Sequence, residues 1–462
     1  MPSPKSPRPL TPFKIAAWVL VAAALFGAVA ALYVWVSPLI AAIVYVGIFV
    51  PTAFVYPHIA LLLIFALTPL QNDLSAGGPL KFSIAEVNLL LTIPVCLLNL
   101  ASRRRPLRFG PVIWPVLLYL LACLVSSLPE LGNPATLTAY VQMVLYLVVT
   151  VTVFASISRE TKDLLLPLYG LAFICIFFGL AAFASKGGYV LGLHKNNLGG
   201  SLASAVIISA ELWFASAGTK RRKWLTLALL IETGGLVFTL SRGSWLAAIV
   251  GLTVIAFMRR QFRLIVRVLP LLTIVIAVAW MILPEAEKEY ATDFDRANYN
   301  IEARFMSIAK AKAMFKQNPL FGLGVEVRKQ MDATNLVWVS LAESGIFGFA
   351  SFVLIYVVLL RMIWKDHKRL DLHHPLHSLL VVAAALGLGR VAHGMVDHYW
   401  VRGSTVMCWA AVGMATRLHA NLAGSPALAP ARRNPKRKRN PFSNPQRSPL
   451  AVSARIPGSP RD

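Results

Sequence analysis

The chain has 462 residues, 57% of them hydrophobic, and its 45 Lys and Arg against 20 Asp and Glu give a formal net charge of +25. Apolar runs of membrane-spanning length broken by short charged loops exclude a soluble globule, and within lipid such runs must satisfy their own backbone hydrogen bonds as helices. The charge does not point to nucleic acid, because the basic residues sit in loops between apolar runs and in one polar tail, where cytoplasmic anchoring and anionic headgroups account for them.

Lys5, Arg8 and Lys14 precede a first apolar run at roughly 15–35, which reads as an uncleaved anchor because it is long and flows straight into further apolar sequence. Further segments are expected at roughly 38–53, 55–70, 84–100, 111–127, 137–157, 163–184, 196–217, 222–240, 243–258, 263–283, 337–362, 376–396 and 403–420. The chain is therefore expected to be an all-α polytopic membrane protein of about 12–14 transmembrane helices. The runs at 38–53, 55–70 and 243–258 fall short of the usual ~20 residues and read as tilted, re-entrant or partly buried pieces.

Lys and Arg fix the expected orientation. Arg103, Arg104, Arg105 and Arg108, then Arg159 and Lys162, Lys220 to Lys223, Arg259, Arg260 and Arg263, and Arg361, Lys365, Lys368 and Arg369 fall in alternate loops, which places those loops in the cytoplasm. The resulting plan is a basic cytoplasmic N-terminus (1–14), a helical region (15–283), one large extracytoplasmic loop (284–336), C-terminal membrane helices (337–421) and a basic tail (422–462). The tail, with Lys436, Arg437, Lys438 and Arg439 among Pro, Ser and Asn, is expected to be disordered and to lie against anionic lipid.

The same parity sends most of the candidate chemistry to the opposite face. The outward segments are 193–200, 240–243, the long loop and 393–400. Arg242 stands between two apolar runs with no acid nearby in sequence, an expensive position that calls for a partner or an anionic ligand. The long loop opens acidic and then turns into an expected helix from Glu302 to Gln317, in which Arg304, Lys310, Lys312 and Lys316 supply positive charge and the lysines read as a solvated face. Gly322-Leu323-Gly324 reads as a turn. His393, Asp397 and His398 end one apolar run, and five-residue spacing does not put both histidines on one helical face, so proton chemistry or sugar binding is favoured over metal. His194 and Lys195 open another run, beside Asn196 and Asn197 as donors and acceptors for hydroxyl groups. Cys96, Cys123, Cys175 and Cys408 lie singly in apolar runs and read as packing residues.

Taken in order, these motifs resemble the bacterial O-antigen ligase, polysaccharide polymerase and O-linked oligosaccharyltransferase group. The resemblance rests on His-Lys-Asn-x-Leu-Gly at 194–199, Ser-Arg-Gly at 241–243, Arg304 followed by Asn318-Pro319-Leu320-Phe321-Gly322-Leu323-Gly324, Asn335, and Leu341 to Gly348. It implies a helical glycosyltransferase that needs no metal or nucleotide and acts on a polyprenyl-pyrophosphate-linked glycan at the outer face of a bacterial inner membrane. Membrane lipids and other polysaccharide-assembly proteins are its expected partners. Arg242 and Arg304 would grip the pyrophosphate, and His194, Lys195, Asn196 and Asn335 would contact substrate. One position departs from the pattern: Thr334 stands where the family carries His, its proposed base. His393, His398, His194 or Asp332 would then replace it, with His393 placed first because a polar group inside an apolar helix end needs a reason. The rival readings are a transporter of a polysaccharide precursor and an inactive envelope-assembly scaffold.

Overall fold

The computed structural model describes residues 35–71, 82–102, 106–158, 160–185, 192–262, 299–330 and 335–424, with isolated positions beside these ranges. The expected spans at 15–35 and 263–283, the acidic start of the long loop, Asp332, Thr334 and the tail lie largely or wholly outside them. Among the described residues every extended element is helical: α1 (Pro38–Val55), α2 (Pro57–Ala66), α3 (Ile84–Ala101), α4 (Ile113–Ser127), α5 (Pro134–Ser156), α6 (Leu165–Ser185), α7 (Lys195–Ala215), α8 (Arg221–Phe238), α9 (Arg242–Arg259), α10 (Tyr299–Gln317), α11 (Leu336–His367), α12 (His377–Gly394) and α13 (Arg402–Gly424). Nine helices among the described residues are long and apolar enough to cross a membrane, and the protein is an all-α polytopic membrane protein.

Helix boundaries follow local chemistry. Ser37 caps α1 by accepting from the Leu39 N–H, with Pro38 in the first turn, where a missing N–H costs nothing. Asn133 and Pro134 repeat the device at α5. Glu86 reaches back to the Ser83 N–H at 2.6 Å at the start of α3. Of the three short runs, two become 18-residue helices, α1 and α9. Pro57 cuts the third to the 10-residue α2, most of which is buried, in keeping with its reading as a partly buried piece.

Burial ranks the helices. α12 is 83% buried and α7 78%, whereas α1 is 17% buried; α7 and α12 therefore form the centre with the buried run of α13, and α1 presents its side chains outward. The four cysteines are all free and buried, as the packing reading expects.

The two ends of the bundle are chemically distinct. At one, Arg108 Nη1 donates to Asn421 Oδ1 at 2.8 Å, Arg369 Nη2 to the Leu422 carbonyl at 2.8 Å, and Arg259 to the buried Glu211 carboxylate. At the other, the His194, Arg242, Arg328 and His393 regions come together. Loops separated by the alternation of basic residues thus share opposite ends.

The motifs at 318–324 and 341–348 lock onto each other. α11 has 32 residues, at 1.5 Å each more than the ~30 Å of a bilayer core, but it is broken at Gly345 (φ 62°, ψ −166°). The break exposes backbone groups that the 318–324 segment fills: Leu323 and Gly324 N–H donate to the Ala342 and Glu343 carbonyls at 2.8 and 2.9 Å, and Ile346 N–H donates to Pro319 O at 2.9 Å. The glycines of the expected turn, Gly322 and Gly324, have φ of 78° and 101°. A Cβ on Gly345 would meet Leu320 O at 2.2 Å in a backbone region that side chains shun. Gly345→Ala is accordingly expected to cost about 3 kcal/mol or more and to reduce folded protein severely, whereas Gly47→Ala, where nothing lies within 4 Å, serves as a neutral control. Size-exclusion profiles of the two membrane extracts provide the check; equal monodisperse yields would show that the break tolerates a side chain.

Candidate active site

The short helix Val325–Gln330 carries a cation that the sequence reading did not single out. It is held in place from several sides: Val325 N–H donates to Ser127 Oγ at 3.1 Å, and Asn133 Nδ2 and Thr136 Oγ1 each donate to Glu326 Oε2 at 2.7 Å. Arg328 then projects inward and forms a fork with Glu343, Nε to Oε1 at 2.5 Å and Nη2 to Oε2 at 2.7 Å, while its backbone N–H donates to the same carboxylate at 3.2 Å. The guanidinium also lies over the Trp400 ring, 4.7 Å from the centroid. Burial disfavours the Arg328 charge, and the Glu343 carboxylate more than offsets this, so its pKa is raised and it stays a cation.

Arg328 borders a cavity of about 810 Å³ that Lys329, Arg402, Gln71, Gln142, Tyr146 and Trp400 also line. No Asp or Glu is among its lining residues. The lining therefore combines three cations with amides and aromatic rings, the combination that suits a phosphorylated glycan.

A second cavity of about 200 Å³, lined by His194, Asn196, Arg390, His393, Asp397 and Ser404 among others, shares Asn197, His398 and Val401 with the first. The two are neighbours, and His398 borders both. Arg390 organises this side. Its Nε donates to Tyr399 O at 2.9 Å, Nη2 to His398 O at 2.6 Å, and Nη1 to His393 Nδ1 at 3.0 Å. Asp397 Oδ1 accepts the His398 backbone N–H at 2.7 Å. The His398 backbone is thus pinned by Arg390 and by Asp397.

His393 is differently placed. It is buried, and because Arg390 can only donate, Nδ1 accepts and the neutral ring carries its proton on Nε2, 3.9 Å from Asp397 Oδ2. Two glycines from distant motifs seat the ring: a Cβ on Gly200 would lie 3.2 Å from His393 Cε1, and one on Gly243 would lie 2.8 Å from Cδ2. The close backbone approach explains the glycine that follows Ser-Arg in α9 and the second glycine, Gly200, just after the His-Lys-Asn-x-Leu-Gly motif in α7; Gly199 itself packs against Ser241 and Ser244. His393 is therefore where the 194–200 and 241–243 segments meet.

The other expected residues divide. His194 caps α7, its Nδ1 accepting the Asn196 N–H at 3.3 Å. Partial burial and then the Lys195 ammonium depress its pKa against the pull of Asp397, so the imidazole is neutral at pH 7. Lys195 is the first residue of α7, half-buried beside the cavity-lining Asn196. Arg242 opens α9 after Leu240, which has φ 52° and Ser241 next to it. A left-handed leucine costs about 1–2 kcal/mol, and local strain of this kind marks a position whose direction matters. Neither Arg242 nor Arg304 is among the residues lining the two cavities. Asn335 caps α11: Oδ1 accepts from Val337 and Trp338 N–H at 3.1 and 3.4 Å, and Nδ2 donates to Met395 O at 2.9 Å. Its amide thus ties the start of α11 to the end of α12. In α10, Lys312 lies over Trp338 at 4.8 Å and Lys310 donates to Gln330 O at 3.1 Å, so these lysines help dock the helix besides facing solvent.

Arg328, Arg390 and Arg402 went unremarked in the sequence reading. For Arg390 a signal existed, a charge within an apolar run. Arg328 lay in a mixed-charge stretch with its partner fifteen positions away, and Arg402 at a helix start; neither carries a local signature.

No curated protein matches the chain. Residues 225–353 match the family model described as O-antigen ligase, a stretch that runs from α8 through the break in α11 and includes Arg242, Arg304, Arg328 and Glu343. With that match joined to nine membrane-length helices among the described residues, the chain is a multi-pass membrane protein whose residues 225–353 are similar to the O-antigen ligase family.

Proposed function

We propose that the protein is a glycosyltransferase that polymerises or transfers a polyprenyl-pyrophosphate-linked glycan at the outer face of the bacterial inner membrane. The observation that carries this reading is the acid-free cavity of about 810 Å³ bordered by Arg328, Lys329 and Arg402, sharing His398 with a pocket that holds Asp397. A sugar hydroxyl attacks the anomeric carbon; the new C–O bond forms as the bond to pyrophosphate breaks, and the leaving group departs with the electron pair. Pyrophosphate needs positive charge more than a proton donor, and fixed guanidinium groups supply it without reorganising. Arg328 and Arg402 bind it in this scheme, with Arg242 and Arg304 adding field from the flank. His398, at the boundary, takes the hydroxyl proton; Asp397 and Arg390 hold its backbone, and His393 positions Arg390. Asn196, Asn197, Gln71 and Gln142 offer amides to sugar hydroxyls.

A strain lacking the protein is expected to accumulate unpolymerised or unligated glycan repeats on the outer face of the inner membrane, seen by electrophoresis of the surface polysaccharide. Repeats trapped inside the cell would instead favour the transporter, and an unchanged profile the scaffold. For orientation, a single cysteine at position 310 is expected to react with an impermeant maleimide in intact cells and one at 221 not to. The native thiols are all buried and add little background. Labelling at 221 would invert the topology and remove the outer-face assignment.

A further inference from the structure

At the end of the bundle opposite the candidate site, a separate cavity of about 390 Å³ opens between the C-terminal ends of α9 and α11. Arg260, Lys368 and His367 line it, together with Trp364 and Asp371. Arg260 and Lys368 are exposed, unlike the neighbouring Arg259, whose charge is absorbed by Glu211. Asp371 is turned to local use, its Oδ1 accepting the His373 N–H at 2.7 Å. The α9 end reverses through Arg260 itself, which has φ 55°, so the side chain is directed by an unusual left-handed turn without glycine.

An aromatic wall leads from the apolar helix surface into this cavity. Phe257 stacks on Trp364 with centroids 5.8 Å apart, Phe262 packs edge-on to Phe257 at 6.5 Å, and Lys368 Nζ lies 5.1 Å from the Trp364 ring centre. The three rings are 43–55% exposed. Cations near helix C-termini ordinarily serve to offset the helix dipole, which would explain Arg260 and Lys368 but not the exposed stacked rings or the cavity between them. Apolar rings continuous with a cationic pocket match an amphiphile with a negative head.

We infer that this cavity is a binding site for the phosphodiester headgroup of an anionic phospholipid, with Arg260 and Lys368 on the phosphate and Phe257, Phe262 and Trp364 along the acyl chains. The site is independent of the glycan cavity and of the reaction assigned to it. The test is native mass spectrometry of the full-length protein exchanged into mixed micelles of phosphatidylglycerol and phosphatidylcholine, with folding followed by size exclusion. Wild type should retain phosphatidylglycerol preferentially. Arg260→Gln and Lys368→Gln should each weaken retention roughly fivefold, the factor associated with one basic side chain at an anionic membrane surface, while Arg260→Lys and Lys220→Gln should retain it. Equal retention by wild type and the Gln variants would overturn the site, as would loss on Lys220→Gln, which would indicate diffuse attraction. Binding of inorganic phosphate that displaces the lipid at millimolar concentration would show a free-anion site instead.

Discussion

Arg328→Met is expected to strip the membrane of most folded protein, whereas Arg328→Met combined with Glu343→Leu restores folded protein without restoring glycan transfer. The reason lies in the pair's burial: the Arg328 and Glu343 side chains are 11% and 0% exposed. Removing one partner leaves a carboxylate in the dry interior with two guanidinium bonds unmade, a loss of about 3–5 kcal/mol, while replacing both by apolar groups of similar size is often neutral. The single substitution thus reports on stability. The double substitution isolates function, because it removes the ion pair as a unit, and of the two residues only Arg328 borders the large cavity. Thermal melts in detergent and transfer rates at matched abundance separate the two effects. Wild-type transfer by the folded double variant would show that Arg328 is a structural ion and that Arg402 and Lys329 suffice for the anion.

His398→Ala is expected to lower transfer by roughly 10²–10⁴, the usual contribution of general-base assistance, while leaving the melting temperature within a few degrees of wild type. The side chain is only partly buried, and its backbone is held by Arg390 and Asp397 whatever the side chain is. His393→Ala should behave in the opposite way. His393 is 4% exposed and accepts from Arg390, so its loss leaves a buried donor unmatched at about 1–3 kcal/mol and lowers the amount of protein more than the rate per molecule. His194→Ala should remove a helix cap worth about 1 kcal/mol and spare most of the rate. These variants must be compared per folded molecule. If His393→Ala loses transfer at matched abundance while His398→Ala keeps it, the base is the buried imidazole and the Arg390 contact must break during turnover.

The sequence by itself determined the environment of this chain and the separation of its two ends. Hydrophobic runs report the solvent, because lipid leaves the backbone no alternative to helices, and the alternation of Arg and Lys among loops requires no knowledge of which helix touches which. The Asn335 position also carried a legible local signal, an amide just before an apolar run, which is the ordinary mark of a helix N-cap. The glycines at 200 and 243 belong to outward segments far apart in sequence, and only packing brought both against the His393 ring. Tertiary structure alone decided which cations face a cavity. Arg328 resembles any loop arginine until Glu343 of a broken helix meets it, and Arg402 gains meaning only from the space beside it. The surroundings of the histidines were hidden for the same reason: His393 gives its Nδ1 lone pair to Arg390 through a contact made by the turn of α12 and fixed by the chain folding back at Tyr399, while His398 borders both cavities.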